Sequence, residues 1–452
     1  MNNTKPVISK EINLDLQLEY KGYWYLPSAP EYKVAGVVTY YPNDKIILEL
    51  IGAFDDDLQN LFMNKKESII LGDASDSKKI SLSNCYQSSS LNFSSGIPIV
   101  RYTCNSMIIG KHIESLEQKC QYSLAFRFPE LSYWCHPSAI DSTIHFREDG
   151  EGINRICLSF DSYHNSDKDI IKSVAINEDI IVSLKRGIDY DSSTYFLRPQ
   201  LQQYTYVEID RKSPCTLSEL LSDMYIYKDF MSLAALSELH SSDITFYDKD
   251  LYQQCGEKKF YKPIHYIQAF YDRNNHKEKN DFLFKYNSIK GIYSDIIKAW
   301  YNLPSDMYPI RKHLIDSLKK KTIYGSTDFL IIIQAIEGFW WRFKDEKYRQ
   351  VNNIPRKVQT SLNTILDQLV TEFNDIELLI QANIDIEAVV DSRHYYSHFV
   401  PLKNKPKTLD GIELFKESRK IRILLMCCIL SFMGVDNSHI NAIFNNSELK
   451  LL

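Results

Sequence analysis

Apolar and polar positions alternate along the first half of the chain, then recur at nearly every fourth position along the second. Between residues 35 and 54, VAGVVTYYPNDKIILELIGAF sets two β-branched runs around Pro42, Asn43 and Asp44. That pattern predicts a β-hairpin, because period two suits a half-buried strand and Pro, Asn and Asp suit a turn. Further runs, ESIILG, KISLSNCY, PIVRYTCNSMIIG, CQYSLAFRF, NRICLSF, DIIVSLKR and QYTYVEID, follow at short intervals with Asp, Ser, Asn and Gly between them. Short strands at regular spacing predict a β-rich domain, sandwich or barrel-like, over residues 1–212.

At TLSELLSDMYIYKDFMSLAAL (216–236) the period lengthens to that of a helix, opened by Thr or Ser followed by acidic residues. Residues 237–285 are polar, rich in Lys, Asp and Tyr, and show no clear period. They either finish the sheet or bridge two regions, so 213–305 reads as a mixed, partly helical connection. Beyond it the pattern is helical almost throughout. One helix is expected over 326–350 behind a Ser-Thr-Asp cap, a second over 355–373 starting at Pro355, a third over 375–399, and a fourth over 411–434 stopped by Gly434. Short connections favour an antiparallel bundle over 306–452, which makes the chain α+β.

Composition narrows the class. With 452 residues, 44% hydrophobic, and 30 Tyr and 22 Phe, the chain can bury a large core, and disorder is excluded as its general state. Nine cysteines, odd in number and without a C-x-x-C pair, predict reduced thiols and a cytoplasmic location. The opening MNNTKPVISKEINLD lacks the charged-then-apolar order of a signal peptide, and the longest apolar run, ILLMCCILSFM at 423–433, is too short to span a bilayer. No membrane association is expected. The net charge of -5 is uneven: from Asp306 onward 20 Lys and Arg stand against 18 Asp and Glu, leaving 33 against 40 before it. A polyanion would prefer the C-terminal part.

The candidate chemistry lies in DSRHYYSHF, residues 391–399. An RNA phosphodiester is cleaved without metal when a base takes the 2′-hydroxyl proton, an acid protonates the leaving 5′-oxygen and a cation stabilises the phosphorane. Histidine titrates near neutral pH, and arginine stays charged and forks onto phosphate oxygens. Arg393 and His398 form the one Arg-x(4–6)-His pair of the chain. Five helical steps rotate by roughly 140°, so the two are expected to converge only if the helix loosens or ends between them, or if a second subunit completes the site. His394 and His398, one turn apart, face the same way.

Two other readings stand beside this one. In the first, Arg393 pairs with Asp391 or a neighbouring helix and the histidines pack with Tyr395 and Tyr396. In the second, His394 and His398 bind a metal ion, which needs a third ligand. Elsewhere, DRNNH (272–276) reads as a solvated loop and Cys427-Cys428 as packing. The basic clusters at 311–321, 342–357 and 403–407 read as solvated ends and loops that serve RNA only if they share a face with Arg393. No P-loop, dinucleotide fingerprint, nucleophile elbow or zinc ribbon occurs, and no cofactor is expected.

Arg393-His394-x-x-x-His398 resembles the R-[Asn/Asp/His]-x-x-x-H motif of the HEPN ribonucleases, whose fold is a small helical bundle. IIIQAIEGFWWRF and DSRHYYSHF resemble the C-terminal HEPN domain of ApeA-type abortive-infection proteins, and GYWYLP, VAGVV, ILELIGAF, IIGKH and LAFRFPELSYW resemble that family's β-rich N-terminal domain. The resemblance implies a metal-independent RNA endonuclease in antiphage defence, with tRNA as its target and a 2′,3′-cyclic phosphate product. His398 would be general base or acid, Arg393 the phosphate-stabilising cation, and His394 the polar residue that orients the site. Glu337 would reach the motif from the first bundle helix, or pair with Arg393, or remain solvated. A homodimer and a phage-derived trigger are the implied partners. The alternative is a non-catalytic HEPN-like binding or dimerisation module, or a sensor.

Overall fold

The computed structural model describes residues 12–54, 65–88, 98–136, 140–147, 152–160, 170–191, 200–241, 243–269, 281–319, 325–355 and 357–449. DRNNH lies outside them. The chain forms two compact units, one of residues 1–225 and 240–278, the other of residues 226–239 and 279–452.

In the first unit the alternating runs become an all-antiparallel sheet. β1 (Leu18–Tyr25), β2 (Val34–Tyr40), β3 (Ile46–Ile51), β4 (Lys66–Ala74), β5 (Lys79–Gln87) and β6 (Ile99–Ile109) pair in the order β6-β3-β2-β1-β4-β5, and β5 pairs back onto β6. The result is a closed six-stranded barrel, which removes the open edges of a flat sheet. The β2–β3 hairpin turns at the expected residues: Lys45 O accepts from Tyr41 N, and Asn43 takes the left-handed conformation at φ 62. Alternate residues of these strands, among them Val38, Tyr40, Ile46, Leu48, Leu50, Ile80, Leu82 and Tyr102, fill the interior around Trp24.

β6 is long enough to serve two neighbours on one edge. Residues 99–104 pair with β3, and 106–109 pair with β14 (Lys258–Gln268). From there the outer sheet continues through β13 (Asp243–Cys255), β7 (Tyr122–Arg127), β12 (Gln200–Arg211), β11 (Ile180–Asp191) and β10 (Ile170–Ala175). A separate hairpin, β8 (Ile140–Phe146) and β9 (Ile153–Phe160), completes the strands, and α1 (Pro129–Cys135) packs on β12. The polar stretch from 237 to 285 thus holds the β13–β14 hairpin. Only the first half of β13 is buried, and a register shift between Tyr247 and Tyr252 interrupts its alternation, so no period shows in the sequence.

Gly72 faces Trp24 across the β1–β4 pair, and a Cβ at Gly72 would come within 2.4–2.9 Å of three atoms of the indole ring, closer than packing allows. Alanine for glycine ordinarily stabilises by restricting the unfolded chain, by roughly 0.4–1 kcal/mol. Here the fully buried indole cannot yield. Gly72→Ala is expected to destabilise this unit by about 1–3 kcal/mol, read as a lower urea midpoint; an unchanged midpoint would mean that Trp24 repacks freely.

α2 (Leu217–Ala235) opens with a capping box: Thr216 Oγ1 accepts from Glu219 N at 3.1 Å, and Glu219 Oε2 accepts from Thr216 N at 2.8 Å. The division between units falls within this helix. The second unit adds α3 (Tyr286–Ile289), α4 (Tyr293–Tyr301), α5 (Tyr308–Lys319), α6 (Ser326–Phe343), α7 (Asp345–Asn352), α8 (Leu362–Glu372), α9 (Glu377–Ala382), α10 (Ile386–His398), α11 (Gly411–Phe432) and α12 (Asn437–Asn445). α6 and α11 form its centre; α6 packs on α5, α8, α10 and α11, and α11 on α5, α8, α9 and α12. The apolar run 423–430 of α11 is buried throughout.

Several helix limits differ from those expected. The helix over 326–350 breaks at Lys344, where the Asp345 carboxylate accepts from Trp340 Nε1 (3.2 Å) and Thr360 Oγ1 (2.9 Å) and pairs with Arg349. Its N-cap is Gly325, without a side-chain cap bond, and Ser326, Thr327 and Asp328 lie within the first turn. The next helix starts at Leu362 rather than Pro355, because Ser361 caps it through Thr364 N. The helix over 375–399 is two helices: Asn383 turns left-handed (φ 47), and Asp385 caps α10 by accepting from Ala388 N at 3.0 Å. Gly434 closes α11 as expected, at φ 85. Gly434 N donates to Ser431 O and Val435 N to Leu430 O, the paired bonds of a Schellman motif.

Candidate functional site

Arg393, His394 and His398 all lie on α10, and Glu337 faces them from α6, which packs against it. The Arg393 guanidinium is shared. Its Nη2 donates to Glu337 Oε1 at 3.2 Å and to Oε2 at 3.4 Å, and its Nη1 donates to His398 Nε2. Because a guanidinium has no acceptor, this contact is a hydrogen bond only where His398 offers the Nε2 lone pair. The contact forms within one chain, although α10 runs unbroken through both residues. The length of the arginine side chain, not helix loosening or a second subunit, spans the rotation.

His394 and His398 lie ring beside ring, centroids 5.6 Å apart and planes 36° apart. Burial pulls the His394 pKa below its ordinary value, and the Lys405, Arg393 and His398 charges add to the effect against the opposing pull of Asp391. His394 is therefore held neutral at pH 7. The sign for stability follows: in acid the unfolded chain takes up this proton before the folded one does. Stability from neutral His394 is complete above about pH 6.5 and is lost as pH falls below it. His394→Asn is expected to flatten the acid limb of stability there; urea midpoints across pH 5–8 that fall equally in both proteins would refute this.

Asp391 does not pair with Arg393. It accepts from Lys405 Nζ (3.1 Å) and from Lys407 N (3.2 Å), which draws the loop after α10 back along the helix. Ser392 Oγ accepts from Leu409 N (2.9 Å), Tyr396 OH donates to Leu409 O (3.0 Å) and Asp410 Oδ1 (3.1 Å), and Lys407 pairs with Glu387. The KNKPK stretch, expected as a solvated loop, is thereby a basic strap beside the motif. Its one signal in the sequence is the acidic residue at 391 within the motif, with nothing to say which lysine meets it.

The other basic clusters are not brought to this motif by any contact among the described residues. No group of three or more His, Cys, Asp or Glu among those residues is arranged to hold a metal ion, so the paired histidines lack the third ligand that a metal site needs. None of the nine cysteines forms a disulfide, and Cys427 and Cys428 are buried in α11. No helix among the described residues is long and apolar enough to cross a membrane.

The geometry places an arginine and two histidines in the last two turns of α10 with a carboxylate of α6 against the arginine, an arrangement able to bind a phosphate and move a proton. Comparison with known families assigns both units. Residues 19–300 match the model of ApeA N-terminal domain 1, and residues 330–439 match that of Apea-like HEPN. The chain has no significant match among curated proteins or solved structures. The two family matches together span most of the length, in the order β barrel and outer sheet followed by helical bundle, and the chain belongs to the ApeA family, with a C-terminal HEPN domain.

Proposed function

We propose that this protein is a metal-independent RNA endonuclease, directed at tRNA, that acts as an abortive-infection effector. Its ApeA-like HEPN domain supports the broader description of a HEPN nuclease-type antiphage defence protein. The observation that carries the narrower reading is the Arg393 guanidinium bonded at once to His398 Nε2 and to Glu337.

In this reading the free enzyme keeps the Nε2 lone pair of His398 occupied by Arg393. A scissile phosphate draws Nη1 onto its non-bridging oxygens while Glu337 keeps hold of Nη2. Nε2 is then released to accept the 2′-hydroxyl proton. The 2′-oxygen attacks phosphorus, Arg393 stabilises the phosphorane, and the P–O5′ bond breaks to leave a 2′,3′-cyclic phosphate and a 5′-oxygen that takes a proton from water, the proton on His398 passing to the hydroxide so formed. A neutral His394 is suited to accept a proton or orient the ring beside it, and not to supply the acid at pH 7. A homodimer and a phage-derived activator belong to the same proposal.

The test is cleavage of total tRNA in EDTA by the wild type and by Arg393→Ala and His398→Ala, with product ends mapped. Cyclic phosphate ends that vanish in both folded variants support the reading. The Arg393–Glu337 pair also favours a second reading, in which it ties α10 to α6 in a non-catalytic binding or dimerisation module. A wild type that stays inactive even with infected-cell extract would select that one.

A further inference from the structure

We infer that Phe399 is the base-stacking residue of this site, setting which nucleotide flanks the scissile phosphate. The inference rests on the ribonuclease reading above and adds the contact that the motif lacks, since Arg393, His398 and Glu337 address only phosphate and protons. Phe399 directly follows His398. It is the left-handed C-cap of α10, at φ 53 and ψ 34, and is 87% exposed.

Neither backbone nor packing accounts for a phenylalanine there. The left-handed region disfavours a side chain with a Cβ, and four of the eight non-glycine residues that adopt positive φ among the described residues are asparagines, the usual choice. Phe399 is the one Phe, Tyr or Trp among them. A C-terminal cap normally repays an apolar residue with a contact on its own helix, and this ring stands in solvent instead. A conformation that leaves an apolar ring exposed directly after His398 keeps that ring available to a ligand.

The surroundings select RNA over protein. From 399 to 409 the chain carries Lys403, Lys405 and Lys407 and no acidic residue. Asp391 and Glu387 hold Lys405 and Lys407 against α10, which fixes the strap, while Lys403 is exposed beside Leu402. An exposed ring that follows His398 and precedes the lysines of the strap along the chain offers what a single-stranded polyanion with π faces fits.

The test uses full-length protein and a single-stranded oligoribonucleotide carrying 2′-O-methyl groups, which binds but cannot be cleaved. Phe399→Ala is expected to weaken binding by about five- to a hundredfold, and in cleavage to raise KM by a like factor with kcat little changed. Phe399→Trp should restore affinity and add a fluorescence quench on RNA binding beyond that of the wild type, whereas Phe399→Leu, apolar without a ring, should not rescue. Equal affinity for wild type and Phe399→Ala would overturn the inference. So would a loss of dimer in sedimentation with RNA affinity intact, which would make Phe399 a subunit contact. A wild type that cleaves no RNA fails the ribonuclease reading separately, because the binding arm needs no cleavage.

Discussion

His398→Ala is expected to lower tRNA cleavage by about 10²–10⁴-fold, and Arg393→Ala by about 10²–10³-fold or more. In the proposed reaction the first removes the lone pair that would take the 2′-hydroxyl proton, and the second the charge that would stabilise the phosphorane. Arg393→Lys keeps the charge but loses the fork that reaches Glu337 and His398 together, so its activity should fall between Arg393→Ala and the wild type. Because the two residues act on one transition state, the double variant should be hardly worse than the poorer single one. Folding is not the confounder it would be at a core site. Arg393 and Glu337 keep about a fifth of their side-chain surface in solvent, and His398 is exposed, so truncation should cost under about 2 kcal/mol. Single-turnover rates on tRNA, with circular dichroism as the check of fold, decide the matter. A folded His398→Ala protein within threefold of wild type would end the assignment of His398.

The parts of this site that are legible in the sequence are those written in residue type and helical spacing. Arg393, His394 and His398 stand out because few side chains do this chemistry and because α10 is a helix, as its pattern indicates. Glu337 requires the packing of α6 on α10, a contact between residues 56 apart that no periodicity reports. The strap is least legible: Asp391–Lys405, Ser392–Leu409 and Tyr396–Asp410 join a helix to a loop, and a polar loop carries no pattern. In the sheet, alternation locates most strands, but barrel closure depends on β5 returning to β6, where Ile80 meets Ile109, a matter of register between strands and not of either strand alone. The helix breaks at 344 and 383 escape the pattern for a related reason. Asn383 and Asp385 are ordinary cap residues, yet the hydrophobic rows on either side carry the helical period across them.

Asp229→Ala is expected to be among the most damaging single changes to the helical unit, although Asp229 lies far in sequence from the motif. Its carboxylate is buried on α2 and faces two cations of α5, Lys312 Nζ at 2.9 Å and Arg311 Nε at 3.7 Å. Arg311 is itself buried, stacked over Trp300 and Tyr308 at 5.3 and 5.7 Å from the ring centroids, and burial pulls its pKa down against the opposing pull of Asp229. Lys312 can turn to water when its partner goes, but Arg311 cannot. Removing the anion thus leaves a buried guanidinium uncompensated, at a cost of about 3–5 kcal/mol, or roughly 10 °C in the transition of a unit of this size. The same physics predicts a rescue. Arg311→Met in the Asp229→Ala background removes the stranded charge and keeps an apolar stem against Trp300, and should recover more than half of the loss, since dissolving a buried pair costs far less than halving it. Calorimetry on the wild type, the single variant and the double variant tests both steps. A shift below about 2 °C in Asp229→Ala would show that solvent already reaches Arg311, and a double variant no more stable than the single one would show that Asp229 acts through Lys312 alone.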